Sequence, residues 1–299
     1  MATTLLDGRA LAATIKTEVA AQVDRHVATG RRPPHLVAVL VGDHPASASY
    51  VRNKVRSCEE VGFRSTIERL PATATQAEII GVVERLNDDD AVDGFIVQLP
   101  LPAHVDEQAV NLAIDPRKDV DGFHPVNFGR MAQGLDAYLP ATPAGILTLL
   151  ARYGVETSGK HAVVLGRSNI VGAPMSILLG QKRATGNATV TLAHSRTPDV
   201  PAVLRSADIL VAAIGRPHFV TADMVKEGAV VVDVGINRVD DASRKRGYRL
   251  VGDVDFAAVE PRCAAITPVP GGVGPMTVVS LIQNTLRAAR GEVYGSRPT

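Results

Sequence analysis

Residues 161–174 read His161-Ala162-Val163-Val164-Leu165-Gly166-Arg167-Ser168-Asn169-Ile170-Val171-Gly172-Ala173-Pro174. The apolar run His161–Leu165 reads as a strand, and Gly166 and Gly172 mark the turn by which it passes into a helix. Such a turn places backbone N–H groups at a helix N-terminus, where the dipole and unpaired donors favour a phosphate. The spacing is not G-x-G-x-x-G, so its position between strand and helix carries more weight than its letters. A plain strand-to-helix turn that uses glycine for its backbone geometry is the competing reading. The next strand, Ala188–Ala193, ends in His194-Ser195-Arg196-Thr197, and no acid comes before Asp199. An NAD site usually carries an acid there for the ribose 2′-hydroxyl, whereas hydroxyl and guanidinium groups suit a 2′-phosphate. The residues therefore lean to NADP, against an exposed polar loop.

Working outward, Ile209–Ile214 and Ala229–Val234 read as further strands. Thr142 and Pro143 open a helix through Arg152 that Gly154 ends. The last helix, about Met276 to Arg290, follows a glycine-rich loop. Towards the N-terminus, strands His35–Val41, Phe63–Leu70 and Gly94–Leu99 alternate with helices Pro45–Val61 and Gln76–Leu86. The first helix has Asp43 or His44 near its cap and Gly62 past its end; the second shows Ile79, Ile80, Val83 and Leu86 at helical spacing. A β-α-β-α-β run implies a parallel sheet with helices on both faces. The expected fold is thus α/β in two domains. A three-layer domain covers residues 1–140, and the final segment 277–299 completes it. A Rossmann-like domain covers 141–276. The boundary is soft, within Pro125 to Ala141, and neither an internal repeat nor a low-complexity linker is seen.

Composition bounds the rest. The 299 residues are 45% apolar and 21% charged, with net charge +1, so no global field attracts nucleic acid or anionic lipid. Cys58 and Cys263 fit no metal or disulfide spacing, which points to a reducing compartment and no metal. No secretory signal opens the chain, and no apolar run reaches the roughly 18 residues of a membrane span. A cytoplasmic protein without membrane attachment is expected.

The chemistry-bearing candidates lie in the first domain. Tyr50 and Lys54 are four apart and share a helix face, which suits a proton relay. Lysine serves as a base near neutral pH only where burial or a neighbouring cation lowers its pKa from about 10.4. A solvated lysine beside a half-buried tyrosine is the bland alternative. Gln98 stands at the carboxyl end of the strand Gly94–Leu99, where open α/β sheets bind ligands. Asp121 could hold an amidine-like heterocycle through paired hydrogen bonds. A capping glutamine and a turn-forming Asp-Gly compete with these two readings.

Five segments occur together: Tyr50-Val51-Arg52-Asn53-Lys54, Gln98-Leu99-Pro100-Leu101-Pro102, Lys118-Asp119-Val120-Asp121-Gly122, Gly166-Arg167-Ser168 and Pro268-Val269-Pro270-Gly271-Gly272-Val273-Gly274-Pro275-Met276-Thr277. In that order they resemble the bifunctional methylenetetrahydrofolate dehydrogenase/methenyltetrahydrofolate cyclohydrolase family, over nearly the whole chain. The resemblance implies two chemistries in one cleft between the domains, serving one-carbon metabolism. NADP takes the electrons as methylenetetrahydrofolate becomes the methenyl cation, and water then opens that cation to formyltetrahydrofolate. It implies Lys54 as the key cyclohydrolase residue, Tyr50 lining the folate ring, Gln98 tuning Lys54, and Asp121 anchoring the pterin, with Leu99 also on the substrate. Gly166, Arg167 and Ser168 would hold the cofactor, with Arg167 and Ser195 near its 2′-phosphate; Arg196, from the reading of His194–Thr197, joins them as a cofactor-binding candidate. Ile236 would contact the adenosine or nicotinamide part. Pro268, Gly271 and Gly272 would line the junction of folate and nicotinamide. The implied partners are tetrahydrofolate one-carbon derivatives and a second copy of the chain, in a homodimer through the cofactor domains.

Departures from the family pattern are small. Ala141 stands where a cysteine is common, and Gln181–Asn187 is slightly extended. The presence of Lys54 speaks against a dehydrogenase-only form. Two rivals remain at this stage. Another NADP-dependent α/β dehydrogenase, of amino-acid or shikimate type, would leave Tyr50, Lys54, Gln98 and Asp121 without a shared purpose. A non-catalytic NADP-sensing protein would bind the dinucleotide without turnover.

Overall fold

The computed structural model describes residues 2–244 and 247–295, without the side chains at 45 and 46. In chain order, strand β1 (Thr4–Leu5) precedes helix α1 (Gly8–Ala28). A β-α-β-α-β run follows: β2 (His35–Val41), α2 (Pro45–Glu60), β3 (Arg64–Leu70), α3 (Gln76–Asp88) and β4 (Gly94–Val97). Helices α4 (Glu107–Ala113), α5 (Pro125–Ala132) and α6 (Ala141–Arg152) lead to β5 (His161–Leu165), α7 (Gly172–Gly180), β6 (Thr189–Ala193), α8 (Val200–Arg205), β7 (Ile209–Ala212) and β8 (Val230–Asp233). The hairpin strands β9 (Asn237–Asp240) and β10 (Tyr248–Val251), helix α9 (Phe256–Val259), strand β11 (Ala265–Ile266) and helix α10 (Val273–Ala289) complete the chain.

Two compact units divide these elements. One comprises Ala13–Ala141 and Val278–Thr299. Its parallel sheet has the order β3-β2-β4. All seven residues of β2 are buried, as a central strand covered on both faces requires, whereas β3 is only half-buried, with Arg64 and Arg69 exposed. Helix α3 starts where Thr75 and Glu78 cap each other's backbone, and it buries Ile79, Val83 and Leu86 against Val37, Val39 and Phe95. Burying each such side chain is worth roughly 1.5–3 kcal/mol. Within the same unit the Asn284 amide of α10 donates to the Val120 and Leu139 carbonyls at 2.9 and 3.0 Å.

The other unit comprises Met1–Ala12 and Thr142–Thr277. Its six strands run in the order β1-β11-β8-β7-β5-β6, and every pairing is parallel. Residues 1–12, expected in the first domain, therefore belong here: Thr4 and Leu5 pair with Ala265 and Ile266 and add an edge strand to the second sheet.

Other expectations need adjustment. Helix α1 carries a stripe of buried Ala12, Ile15, Val19 and Val23 at helical spacing, a readable signal that strand-centred reading passes over. The last helix begins at Val273 rather than Met276, because Gly274 and Pro275 fit within its first turn. Strand β7 stops at Ala212, which leaves Ile214 free to bond elsewhere. Strand β4 stops at Val97, although the Gln98 N–H still reaches the Val39 carbonyl at 2.9 Å.

Candidate functional site

Helix α2 presents Ser47, Val51, Lys54 and Cys58 on its buried face. Lys54 is 4% exposed, so its ammonium has given up most of its water. It recovers contacts in two places. It donates to Gln98 Oε1 at 3.3 Å, and it lies 4.9 Å from the centroid of the Tyr50 ring, one turn back. Gln98 Nε2 donates to the Leu99 carbonyl at 2.8 Å, which fixes the amide so that its oxygen faces the lysine. Gln98 itself sits just past the end of β4, in the crevice between the diverging paths of β2 and β4. Strand order, helix spacing and one oriented amide thus bring Tyr50, Lys54 and Gln98 together. The Leu99 side chain packs against the core of the unit, so its carbonyl is the part used here.

Asp121 stands on a different segment. Phe95 donates to the Lys118 carbonyl at 3.0 Å, so this segment runs alongside β4. The Lys118 ammonium is locked by the Leu86 and Asp89 carbonyls, both at 2.6 Å. The carboxylate of Asp119 accepts from the backbone of Phe123 (3.2 Å) and His124 (2.8 Å) and from Asn127 Nδ2 (2.9 Å). Burial pushes the Asp119 carboxyl above the ordinary carboxylate range, and these three donors oppose the shift. The half-buried Asp121 is held on this frame, with its carbonyl accepting from Ala141 N–H at 3.2 Å.

In the second unit Gly166 ends β5 with φ +123°, a conformation open to glycine. A Cβ at Gly166 would overlap the Ala213 carbonyl oxygen, and one at Gly172 would overlap the Gly166 carbonyl. These two glycines let β5, the end of β7 and the N-terminus of α7 converge. Ser168 Oγ accepts from the Val171 N–H at 3.2 Å, so this hydroxyl caps the turn as well as facing solvent. The Gly166 N–H donates to the Ala193 carbonyl at 2.8 Å, which holds the ends of β5 and β6 side by side. Arg167, Ser195 and Arg196 are all exposed on these two ends. Asp199, the first acid after β6, caps α8 by accepting from Ala202 N–H at 3.2 Å, so its carboxylate is occupied. Guanidinium and hydroxyl donors around a tight glycine turn fit a phosphorylated dinucleotide.

Ile236 follows β8 and is 56% exposed; its Cδ1 lies 3.6 Å from where a Cβ on Gly274 would stand. The Gly272 N–H donates to the Pro268 carbonyl, and the Gly271 carbonyl accepts from Arg9 N–H, both at 2.8 Å. The loop expected over Pro268–Thr277 is therefore shorter and ends where α10 begins at Val273. Three buried acids, Asp119, Asp233 and Asp253, have no mark in the sequence: Asp119 is satisfied by donors four to eight residues on, and Asp233 and Asp253 mainly by backbone N–H groups up to 39 residues away. Among the described residues, no three His, Cys, Asp or Glu side chains converge as metal ligands do, and no helix is long and apolar enough to cross a membrane.

Comparison with known proteins adds the following. The family described as tetrahydrofolate dehydrogenase/cyclohydrolase matches twice, its catalytic domain over residues 6–121 and its NAD(P)-binding domain over residues 140–293. A protein of Cytophaga hutchinsonii named bifunctional protein FolD is 59% identical over 285 residues, covering 95% of this chain and 98% of its own. The crystal structure of the bifunctional enzyme FolD, methylenetetrahydrofolate dehydrogenase/cyclohydrolase, from Campylobacter jejuni superposes with TM-score 0.91 at 44% identity, covering 97% of this chain and 100% of that one. The Trypanosoma brucei methylenetetrahydrofolate dehydrogenase-cyclohydrolase, complexed with NADP cofactor and inhibitor, gives TM-score 0.92 at 42% identity, covering 98% and 99%.

Proposed function

Because the chain belongs to the tetrahydrofolate dehydrogenase/cyclohydrolase family, we propose that its two chemistries run on the residues described above. The protein oxidises 5,10-methylenetetrahydrofolate to 5,10-methenyltetrahydrofolate with NADP and hydrolyses the product to 10-formyltetrahydrofolate, in one-carbon metabolism. This membership displaces the other-dehydrogenase and sensor readings.

NADP, when bound, supplies the electron acceptor of the first step. Gly166 and Ser168 would hold it at the N-terminus of α7, while Arg167, Ser195 and Arg196 would take the 2′-phosphate. The oxidation needs no side-chain acid or base, because the lone pair of the neighbouring substrate nitrogen drives it. Orientation is therefore the main contribution of the chain. Ile236 offers an exposed apolar side chain to a flat ring, and Pro268, Gly271 and Gly272 offer backbone that a ring can approach closely.

Hydrolysis does need proton management. A water oxygen bonds to the cationic one-carbon unit and loses both its protons as it becomes the formyl oxygen: one goes to the ring nitrogen as its C–N bond opens, and the other leaves to solvent. The observation that carries the reading is Lys54, buried, oriented by Gln98 and laid over the Tyr50 ring. This amine is the group that moves those protons, and the Tyr50 ring packs beside the folate. Asp121 accepts paired N–H bonds from the pterin, with Leu99 nearby in sequence to Gln98 as a further contact. We extend the proposal to a cytoplasmic homodimer, which sedimentation at micromolar concentration tests.

The decisive assay gives the purified protein methylenetetrahydrofolate with NADP or NAD and reads reduced cofactor and methenyl product separately. NADPH formation together with methenyl consumption faster than in buffer is expected. Methenyl decay at the buffer rate alone removes the role given to Lys54.

A further inference from the structure

The six-stranded sheet has one topological switch. From β5 the chain moves out to β6, then returns to β7 on the other side of β5. Ligands of open α/β sheets bind beyond the carboxyl ends of the strands at such a point. One wall of that crevice is the turn at Gly166. The other is Ala213-Ile214-Gly215, which leaves the end of β7 and touches the Gly166 turn so closely that no Cβ fits between them.

A buried carboxylate holds this second wall. Asp253 is 0% exposed. Its Oδ2 accepts from the N–H groups of Ile214 (2.7 Å) and Gly215 (2.9 Å). Its Oδ1 accepts from Asn237 Nδ2 at 2.9 Å, next to Ile236. Asp253 is itself seated on a second buried acid. Its N–H and that of Gly235 donate to Asp233 Oδ1, both at 2.9 Å, and Val254 N–H donates to Asp233 Oδ2 at 3.0 Å. A Cβ on Gly252 would overlap Asp233 Oδ2, so the chain is drawn in as tightly as glycine allows. The loops that follow β7, β8 and β10 therefore meet on two adjacent carboxylates. Burying charge is costly, and these acids are matched mainly by N–H donors rather than by a cation. An apolar plug would hold three loops together without that penalty; an acceptor-only group fixes the direction of every N–H around it.

We propose that Asp253 is a positioning residue for the dinucleotide: it aims the Ile214–Gly215 backbone at one side of the crevice and, through Asn237, sets Ile236. The inference rests on the reading of the Gly166 turn as the NADP site. Asp253→Asn is isosteric: with its amide oxygen kept on Ile214 and Gly215, its NH2 faces Asn237, whose own amide must turn over to accept it, and both backbone bonds lose their charged acceptor. Pairing it with Asn237→Asp restores the match, because the new carboxylate accepts from the amide whose oxygen faces Ile214 and Gly215.

The test is calorimetric titration of NADP into each purified variant, with thermal unfolding to report folding. Wild type binds NADP; if it does not, the reading of the Gly166 turn fails and this inference falls with it. Asp253→Asn raises the NADP Kd about tenfold or more, Asn237→Ala about threefold, and the double variant returns to within about threefold of wild type. KM for NADP follows the Kd. A folded Asp253→Asn that binds NADP like wild type, with only its melting point lowered, overturns the proposal. So does a folded double variant whose affinity is not recovered. Should Asp253→Asn fail to fold, Asn237→Ala decides: an unchanged Kd overturns the assignment and a weakened one supports it.

Discussion

The two sheets begin with the same device. The strands β2 and β5, each flanked by the other two strands of its own run, open with His35 and His161, and each histidine backbone N–H donates to the aspartate that precedes the third strand of that run, Asp93 at 2.7 Å and Asp208 at 2.9 Å. Each ring then bridges two partners. Nδ1 meets a carbonyl, Ala91 at 2.9 Å or Ser206 at 3.0 Å, and Nε2 meets a threonine hydroxyl, Thr66 or Thr191, at 2.9 Å in both. His35 stands opposite Arg64 and His161 opposite Thr189, so each threonine lies two places further along the neighbouring strand. This is a repeat of architecture that the letters HLVAVLV and HAVVL conceal. What differs is the segment grafted after the central strand. After β2 comes a helix whose side chains, Tyr50 and Lys54, are the ones proposed to carry the chemistry. After β5 comes a turn whose value lies in having no side chain at Gly166. The shared frame supports either solution, and function resides in the graft.

That contrast can be broken from both sides. The largest effect is expected from Lys54→Ala, which should lower methenyl hydrolysis by roughly 10²–10⁴, the usual range for a positioned acid–base group, while NADP still binds. Full hydrolysis in that variant would falsify the role of the side chain. Next comes Gly166→Ala, which adds a single methyl where the Ala213 carbonyl already stands and where φ is +123°. Strain of about 1–3 kcal/mol should weaken NADP binding some ten- to hundredfold by titration, a larger loss than it inflicts on methenyl hydrolysis. Equal losses in the two readouts would mean that the grafts are not separable. Gln98→Ala should be milder, slowing hydrolysis about tenfold by leaving the lysine without its oriented acceptor. If hydrolysis by Gln98→Ala matches wild type, the amide only fills space.

Much of this was legible in the sequence, for physical reasons. Strand and helix periodicities differ, so both β-α-β-α-β runs could be read, and Tyr50 and Lys54 shared a face by spacing alone. Gln98 lies 44 residues from Lys54, and only the family resemblance linked them before the fold did. The buried stripe of α1, Ala12, Ile15, Val19 and Val23, is readable by its helical spacing, although no strand pattern borders it. Asp253 was not readable at all: its acceptors serve N–H groups up to 39 residues away, and backbone donors leave no mark in the letters. Two-residue strands such as β1 carry no periodicity, which is why the pairing of Thr4 and Leu5 with Ala265 and Ile266 leaves no mark in the sequence.

The smallest effect separates the histidine staple of the first unit from its setting. A carbonyl can only accept, so Nδ1 of His35 is the donor to Ala91, and in the neutral ring Nε2 accepts from the Thr66 hydroxyl. Burial lowers the pKa of His35, and the bond to Ala91 opposes that shift. The ring therefore stays neutral in the folded protein at pH values where an unfolded histidine, titrating near 6.5, has taken a proton. Below that pH the unfolded chain holds the extra proton, so the contribution of His35 is present above about pH 6.5 and is lost as the pH falls. Asp233, raised to about 6 chiefly by burial, works with the opposite sign, since its folded form keeps a proton that the unfolded one releases. The wild-type slope alone is therefore a mixture, and the difference between wild type and His35→Gln isolates the ring. Urea midpoints measured from pH 7 down to pH 5 should show wild type losing up to about 1.4 kcal/mol per pH unit more than the variant. Parallel curves would mean that the buried ring takes up its proton without disturbing the Thr66 and Ala91 contacts, and that the staple is held by the Asp93 bond to the backbone.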